Sequence, residues 1–121
     1  MKLQAVILSV ALALPGIAGA ANRHDAELAM TAAQSALEAA ERAGAAQYAM
    51  EDLTNARSGM AHAQGLASDR DWTESMLASE KTSADANLAE ARSRQARAEA
   101  TTEEVEAAVR TLRAELGRAG G

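Results

Sequence analysis

The sequence predicts an all-α protein, either an elongated antiparallel helical hairpin or a three-helix coiled coil with one long C-terminal helix. Alanine supplies 33 of the 121 residues, and proline occurs once. Only 2% of the residues are aromatic, whereas strands favour aromatic and β-branched side chains. Alanine combined with Glu, Arg and Leu is the composition of long helices and coiled coils.

The first segment, residues 1–20, is predicted to be a signal peptide. Lys2 precedes an apolar run over residues 3–14, which is shorter than the roughly 20 residues of a membrane-spanning helix. The small residues of Ala18-Gly19-Ala20 then fit a cleavage site, with cutting after Ala20 or Ala21 left open. An uncleaved N-terminal anchor is the alternative. We expect an exported, periplasmic protein of a Gram-negative bacterium, with no membrane span after cleavage.

The remaining segment, 21–121, is predicted to be one alanine-rich helical domain. Three helices are expected, at about 23–43, 47–67 and 72–116, followed by a frayed glycine tail over 117–121. Gly44 separates the first two, because glycine lowers helix propensity by about 1 kcal/mol relative to alanine. Asp71 is the expected N-cap of the third helix, and Glu74 completes a capping-box pattern.

Apolar residues recur at alternating spacings of three and four along each helix, which is typical of coiled-coil packing. The first helix has a weak stripe and the second a clearer one. In the third helix, the stripe is expected to face the other helices. The predicted stripe of the first helix is Ala26, Met30, Ala33, Leu37 and Ala40; that of the second is Ala49, Leu53, Ala56, Met60, Ala63 and Ala67; that of the third is Leu77, Lys81, Ala84, Leu88, Ala91, Gln95, Ala98, Thr102, Val105, Val109, Leu112 and Leu116.

The third helix is too long for the second to cover. At 1.5 Å per residue the two span roughly 67 Å and 32 Å. Either the first two helices form a nearly continuous, kinked helix that covers the long one, or the first folds back and the end of the long helix projects. The candidate contact residues are the aromatic side chains at helix starts and the distal apolar stripe. These are Tyr48, Trp72, Val105, Val109, Leu112 and Leu116.

The residues offer little for catalysis or metal binding. Cysteine is absent, which excludes disulfides, thiolate metal sites and cysteine nucleophiles. A net charge of −5 lacks the basic footprint of nucleic-acid binding. His62 has no second ligand at metal-binding spacing, and His24 would chelate copper or nickel with a free amine only if cleavage followed Ala21. The acidic cluster 103–106 is expected to be solvated helix surface. We therefore expect no catalytic residues, no metal and no cofactor, and no enzymatic activity.

Three groups of residues along the chain form a pattern that is shared with a known family. They are Ala43-Gly44-Ala45-Ala46-Gln47-Tyr48-Ala49 with Leu53 and Ala56, then Asp71-Trp72, then Asp85-Ala86-Asn87-Leu88-Ala89. These segments resemble an alanine-rich bacterial envelope family, catalogued as domain of unknown function 4398. The resemblance covers roughly residues 24–100 and implies an exported bacterial helical protein. Members are often lipoproteins and are sometimes joined to an OmpA-like peptidoglycan-binding domain. Met50 stands where the family usually has proline, and there is no lipid-anchor cysteine.

These observations predict a non-enzymatic structural or interaction protein of the periplasm. Its partner would be a second copy of the chain, in a homo-oligomer, or another envelope protein. A chaperone-like module that shields apolar segments of other proteins is the alternative.

Overall fold

Four helices make up the part of the chain that the computed structural model describes, residues 20–120. They are α1 (Arg23–Ala43), the single-turn α2 (Ala45–Tyr48), α3 (Met50–Ser68) and α4 (Trp72–Ala119). The fold is all-α, as predicted, and the C-terminal helix is the longest of its three main helices. Residues 1–19, and with them nearly all of the predicted signal peptide, lie outside the described part.

Local chemistry explains where α1 begins and ends. Asn22 forms a capping box with Asp25: the Asp25 N–H donates to Asn22 Oδ1 at 3.0 Å, and the Asn22 N–H donates to Asp25 Oδ2 at 3.1 Å. At the other end Gly44 has a φ of +94°, a left-handed conformation that side chains with a Cβ rarely adopt. Its N–H donates to Ala40 and Glu41 carbonyls, which closes the helix.

A short turn connects α3 to α4. The N–H of Asp71 donates to the Leu66 carbonyl at 2.9 Å, and Arg70 takes a left-handed φ of 62°. Asp71 is the N-cap residue of α4, but its side chain makes no capping hydrogen bond. The capping box predicted between Asp71 and Glu74 is therefore absent from the turn. The turn is held instead by hydrogen bonds between backbone groups, from the N–H groups of residues 69–71 to carbonyls near the end of α3.

Contacts between distant residues establish the helix directions. Ser75 at the start of α4 donates to the Ala63 carbonyl near the end of α3 at 2.9 Å, and Arg92 binds Asp52 at 2.8 Å, so these helices are antiparallel. The Ala21 N–H meets Thr73 Oγ1, while Arg97 donates to the Ala43 carbonyl, so α1 runs parallel to α4. Of the two arrangements expected for the overshoot, the chain adopts the one in which the first helix folds back.

The stripes predicted for the first two helices are confirmed. Leu37 of α1 and Leu53 of α3 are the large side chains of the core, and Met60 joins them. The other core members are small, so neighbouring helices approach closely and each contact buries little area. The alanines of the two stripes that are buried are Ala26, Ala33, Ala40, Ala49, Ala56 and Ala63.

The stripe predicted for the third helix, which is α4, is wrong, because a different face of this helix packs in the bundle. We call the predicted set from Leu77 to Leu116 the α4 stripe. The buried residues of α4 follow the same alternation of four and three, but all of them are Ser, Thr or Ala. Both α1 and α3 pack on this face, and small side chains allow two neighbours to come close. The buried set is Ser75, Ser79, Thr82, Ala86, Ala89 and Ser93.

Hydrogen bonding explains why hydroxyl groups are tolerated in this core. Ser79 donates to the Ser75 carbonyl at 2.8 Å, and Ser93 donates to the Ala89 carbonyl at 2.6 Å. A serine or threonine hydroxyl in a helix often bonds to the carbonyl four residues earlier. Within the described residues, no buried side-chain nitrogen or oxygen lacks a partner. The polar groups therefore avoid the penalty of unpaired burial.

Beyond the bundle, α4 continues alone. We call residues 101–119 the arm, since every residue in it is exposed. At 1.5 Å per residue the arm extends about 28 Å from the end of the bundle where α1 joins α2. None of the helices in the described part of the chain is long and apolar enough to cross a membrane.

Candidate interaction surface

The α4 stripe exists as a continuous surface, but it faces solvent. All twelve of its residues are exposed, both beside the bundle and along the arm. Leu77 is 49% exposed and Leu88 is 43% exposed, although both lie on the part of α4 that the other helices flank. Within residues 20–120 this coiled-coil seam has no partner, so it is available for contact with another molecule.

The arm carries the largest apolar side chains of this surface. Val105 and Leu112 are each 58% exposed, Val109 is 39% exposed, and Leu116 is 72% exposed. Their spacings of four, three and four place them on one side of the helix. The four candidate contact residues predicted at the C-terminus thus form one apolar patch, with no covering element among the described residues.

The charged residues of the arm follow a graded order along its length. Glu103, Glu104 and Glu106 lie in the half of the arm nearer the bundle, and three arginines lie in the distal half together with Glu115. All of them are exposed. Across residues 20–120, every ion pair lies between Arg23 and Arg94, so none involves the charges of the arm. The three distal arginines are Arg110, Arg113 and Arg118.

The two aromatic residues do not share a site. Tyr48 is half-buried at the end of α2, where its ring packs against the Gly44 bend at the base of the arm. Trp72 is half-buried at the first residue of α4, at the opposite end of the bundle. There it lines a shallow depression with Ala21 and Arg70. Tyr48 and the arm therefore occupy one end of the molecule, and Trp72 the other.

Two grooves on the bundle were not predicted from the sequence. The larger, of about 740 Å³, lies between α1 and α3 and is lined by Met30 and Met60 together with polar side chains. The smaller lies between α1 and α4 and includes the exposed Leu28. Both are open to solvent. Only the packed structure reveals them, because each is formed by side chains from two helices.

The fold and the surface together define a class: a three-helix bundle of small residues that presents an unpartnered helical arm. The chain belongs to the family described as domain of unknown function (DUF4398), which matches residues 28–105. This family is the one suggested by the sequence segments quoted above. The match ends at Val105, so Val109, Leu112 and Leu116 lie beyond it. No curated protein and no solved structure matches the chain.

Proposed function

We propose that the protein is an exported, non-enzymatic helical interaction protein of the bacterial periplasm, and that the arm is its contact surface. The observation that carries this proposal is the exposed apolar patch of Val105, Val109, Leu112 and Leu116 on the arm, which no other element of residues 20–120 covers. Large apolar side chains grouped on one exposed face are typical of protein-contact surfaces. The arm also holds this face about 28 Å clear of the bundle at its far end.

Two further observations support the remaining parts of the proposal. The acidic cluster of the arm is fully exposed on a single helix, whereas general acid–base catalysis needs carboxylates in a desolvated site. The N-terminal pattern of Lys2, an apolar run and Ala18-Gly19-Ala20 supports export. The resemblance of the sequence segments to an alanine-rich family of the bacterial envelope agrees with this location.

Site-specific photo-crosslinking in intact cells tests the contact surface. A photoreactive amino acid replaces Leu112 on the apolar face, and a matched variant carries it at Ala114, which is equally on the arm but about 200° away around the helix. We expect adducts of discrete mass from position 112 and few from position 114. Equal adduct yields, or none from either position, would exclude the arm face as the contact surface.

Cell fractionation with N-terminal sequencing tests the location. We expect the chain in the periplasmic fraction, beginning at Ala21 or Asn22. Recovery of the chain in the cytoplasm with Met1 retained would refute export.

A chaperone-like role is the second candidate, favoured by the groove between α1 and α3. Met30 and Met60 form its apolar wall, and methionine side chains adapt to varied apolar partners. Suppression of aggregation of an unfolded client protein tests this role. Replacing Met30 with Gln is expected to remove the suppression if the groove binds the client, and a lack of suppression by the unaltered protein at molar excess would eliminate the role.

A further inference from the structure

The order of charges on the arm indicates what its apolar face binds. The half nearer the bundle is acidic through Glu103, Glu104 and Glu106, and the distal half is mainly basic. A second arm lying antiparallel would place its basic half beside this acidic half. A parallel second arm would place acid beside acid and base beside base. The order of charges along the arm is thus complementary to itself in the antiparallel direction, and Glu106 and Arg113 are the oppositely charged residues that share one flank of the apolar face.

The heptad positions make this complementarity specific. With Val109 and Leu116 at a positions, and Val105 and Leu112 at d positions, antiparallel packing pairs a residues with d residues. Val109 then faces Leu112 of the second copy, and Val105 faces its Leu116. The apolar layers on both sides of the symmetry axis consist of Val and Leu only. No polar residue of the α4 stripe enters these four layers.

Flanking charges agree with the same register. In it, Glu106 lies beside Arg113 of the second copy, and symmetry repeats this pair. Sliding the arms by one heptad brings Glu106 against Glu106 of the second copy, and like charges at this distance repel. The exposed arm charges therefore favour one overlap, centred between Arg110 and Thr111.

Longer alignments of α4 are less favourable. An antiparallel pair along the whole α4 stripe would set Asp85 beside Glu106, and Glu80 beside Glu115, of the second copy. A parallel pair would bury Lys81 against its own counterpart. Lys81 already binds Asp85 at 2.6 Å, and Arg92 is held by Asp52 at 2.8 Å, so these charges have partners within the chain. The contact is therefore confined to the arm.

We propose that two copies of this chain associate through their arms, as an antiparallel pair over about residues 102–119. This inference rests on the proposed function, because it names the partner of the same surface. The overlap of about 18 residues spans roughly 27 Å. It buries less area than the roughly 1,600 Å² of a standard interface, so the two copies exchange reversibly between monomer and dimer. The dimer carries one bundle at each end.

Disulfide trapping tests both the partner and its direction, since the chain has no cysteine of its own. Val105→Cys and Leu116→Cys are made as separate full-length variants. We expect the mixture to form a disulfide-linked dimer of one copy of each. Val105→Cys alone should link poorly, because the two positions lie about 16 Å apart along an antiparallel pair. Efficient linking of Val105→Cys to itself would overturn the antiparallel register.

Sedimentation equilibrium with charge exchange gives a second, independent measurement. Arg113→Glu places two acidic residues together and is expected to weaken association about tenfold. The double variant Glu106→Arg with Arg113→Glu restores the pair and should recover the original dissociation constant. Leu112→Glu should weaken association about a hundredfold or more. Leu88→Glu lies on the α4 stripe outside the overlap, so it serves as the matched control without effect.

The outcomes separate this inference from the proposed function. A chain that stays monomeric at all concentrations, but gives adducts with a different protein from position 112, overturns self-association and leaves the arm as the contact surface. A monomeric chain without adducts from that position overturns both. Failure of the double charge exchange to recover association, while Arg113→Glu weakens it, overturns the antiparallel pairing of Glu106 with Arg113.

Discussion

Substituting alanine for Gly59 tests how closely α3 and α4 approach. A Cβ atom added at Gly59 would collide with Thr82 Oγ1, because it would lie well inside the distance that two such atoms tolerate. Thr82 is fully buried, and its hydroxyl donates to the Ala78 carbonyl at 2.9 Å. The threonine side chain therefore has to rotate out of a hydrogen bond, or the helices have to separate.

The expected magnitude follows from two opposing terms. Alanine gains about 1 kcal/mol over glycine in a helix interior. Overpacking a core by one carbon costs about 1–3 kcal/mol. We expect Gly59→Ala to lower the free energy of unfolding by about 1 kcal/mol.

Gly65, in the same helix, is the matched control, because nothing lies within 4 Å of its added Cβ. Gly65→Ala should keep most of the propensity gain and raise the free energy of unfolding by about 0.5–1 kcal/mol. The two identical substitutions are thus predicted to have opposite signs.

Urea unfolding followed by far-ultraviolet circular dichroism, at one fixed protein concentration, measures both variants. For a domain of this size 1 kcal/mol corresponds to about 4–8 °C in Tm, so thermal unfolding gives a second measure. In a Thr82→Ala background the obstructing oxygen is gone, and Gly59→Ala should become stabilising. If Gly59→Ala stabilises the unaltered protein as much as Gly65→Ala does, the close approach of α3 and α4 at this point is refuted.

Three further predictions concern the bundle and the arm. Leu53→Ala should lower the free energy of unfolding, measured in urea, by about 2–5 kcal/mol because Leu53 is fully buried. Leu88→Ala should change the free energy of unfolding by less than about 0.5 kcal/mol. Equal losses from the two substitutions would mean that the α4 stripe is buried. Gly44→Ala should cost at least about 1 kcal/mol, since its φ is +94°, and an unchanged Tm would contradict a left-handed residue there. Ending the chain at residue 100 should leave the thermal unfolding of the bundle unchanged at low protein concentration, and a large drop in Tm would show that the arm packs on the bundle.

The helical architecture was predictable because its signals are local. The alanine-rich composition, Gly44 and the polar turn before Trp72 act within a few residues, and the structure has three main helices where these signals predict them. The stripes of α1 and α3 were also predictable, since Leu37, Leu53 and Met60 are the large apolar side chains among small or polar neighbours. The Asn22–Asp25 capping box was not predicted, although its two residues stand at the spacing of that motif.

The buried face of α4 was not predictable by the same rule. Two stripes with the same alternating spacing run along this helix, one with Leu and Val, the other with Ser, Thr and Ala. Hydrophobicity predicts that the stripe with Leu and Val is buried, but in the bundle the stripe with Ser, Thr and Ala is buried. A signal for the correct face was present: Ser75, Ser79 and Thr82 share one side of the helix, and Gly59 in α3 is small enough to approach it. Recognising it required knowing that both α1 and α3 pack on that side.

Helix positions and the heptad spacing of every stripe follow from the order of residues, because each depends on interactions between neighbours in the chain. Tertiary packing decided which side of α4 faces inward and which faces solvent, because that choice depends on how near three backbones come to one another. Small residues permit that approach, and their hydroxyls bond to carbonyls of α4 or α3. The Leu and Val side chains, excluded from the close contact, remain exposed along α4 and its arm.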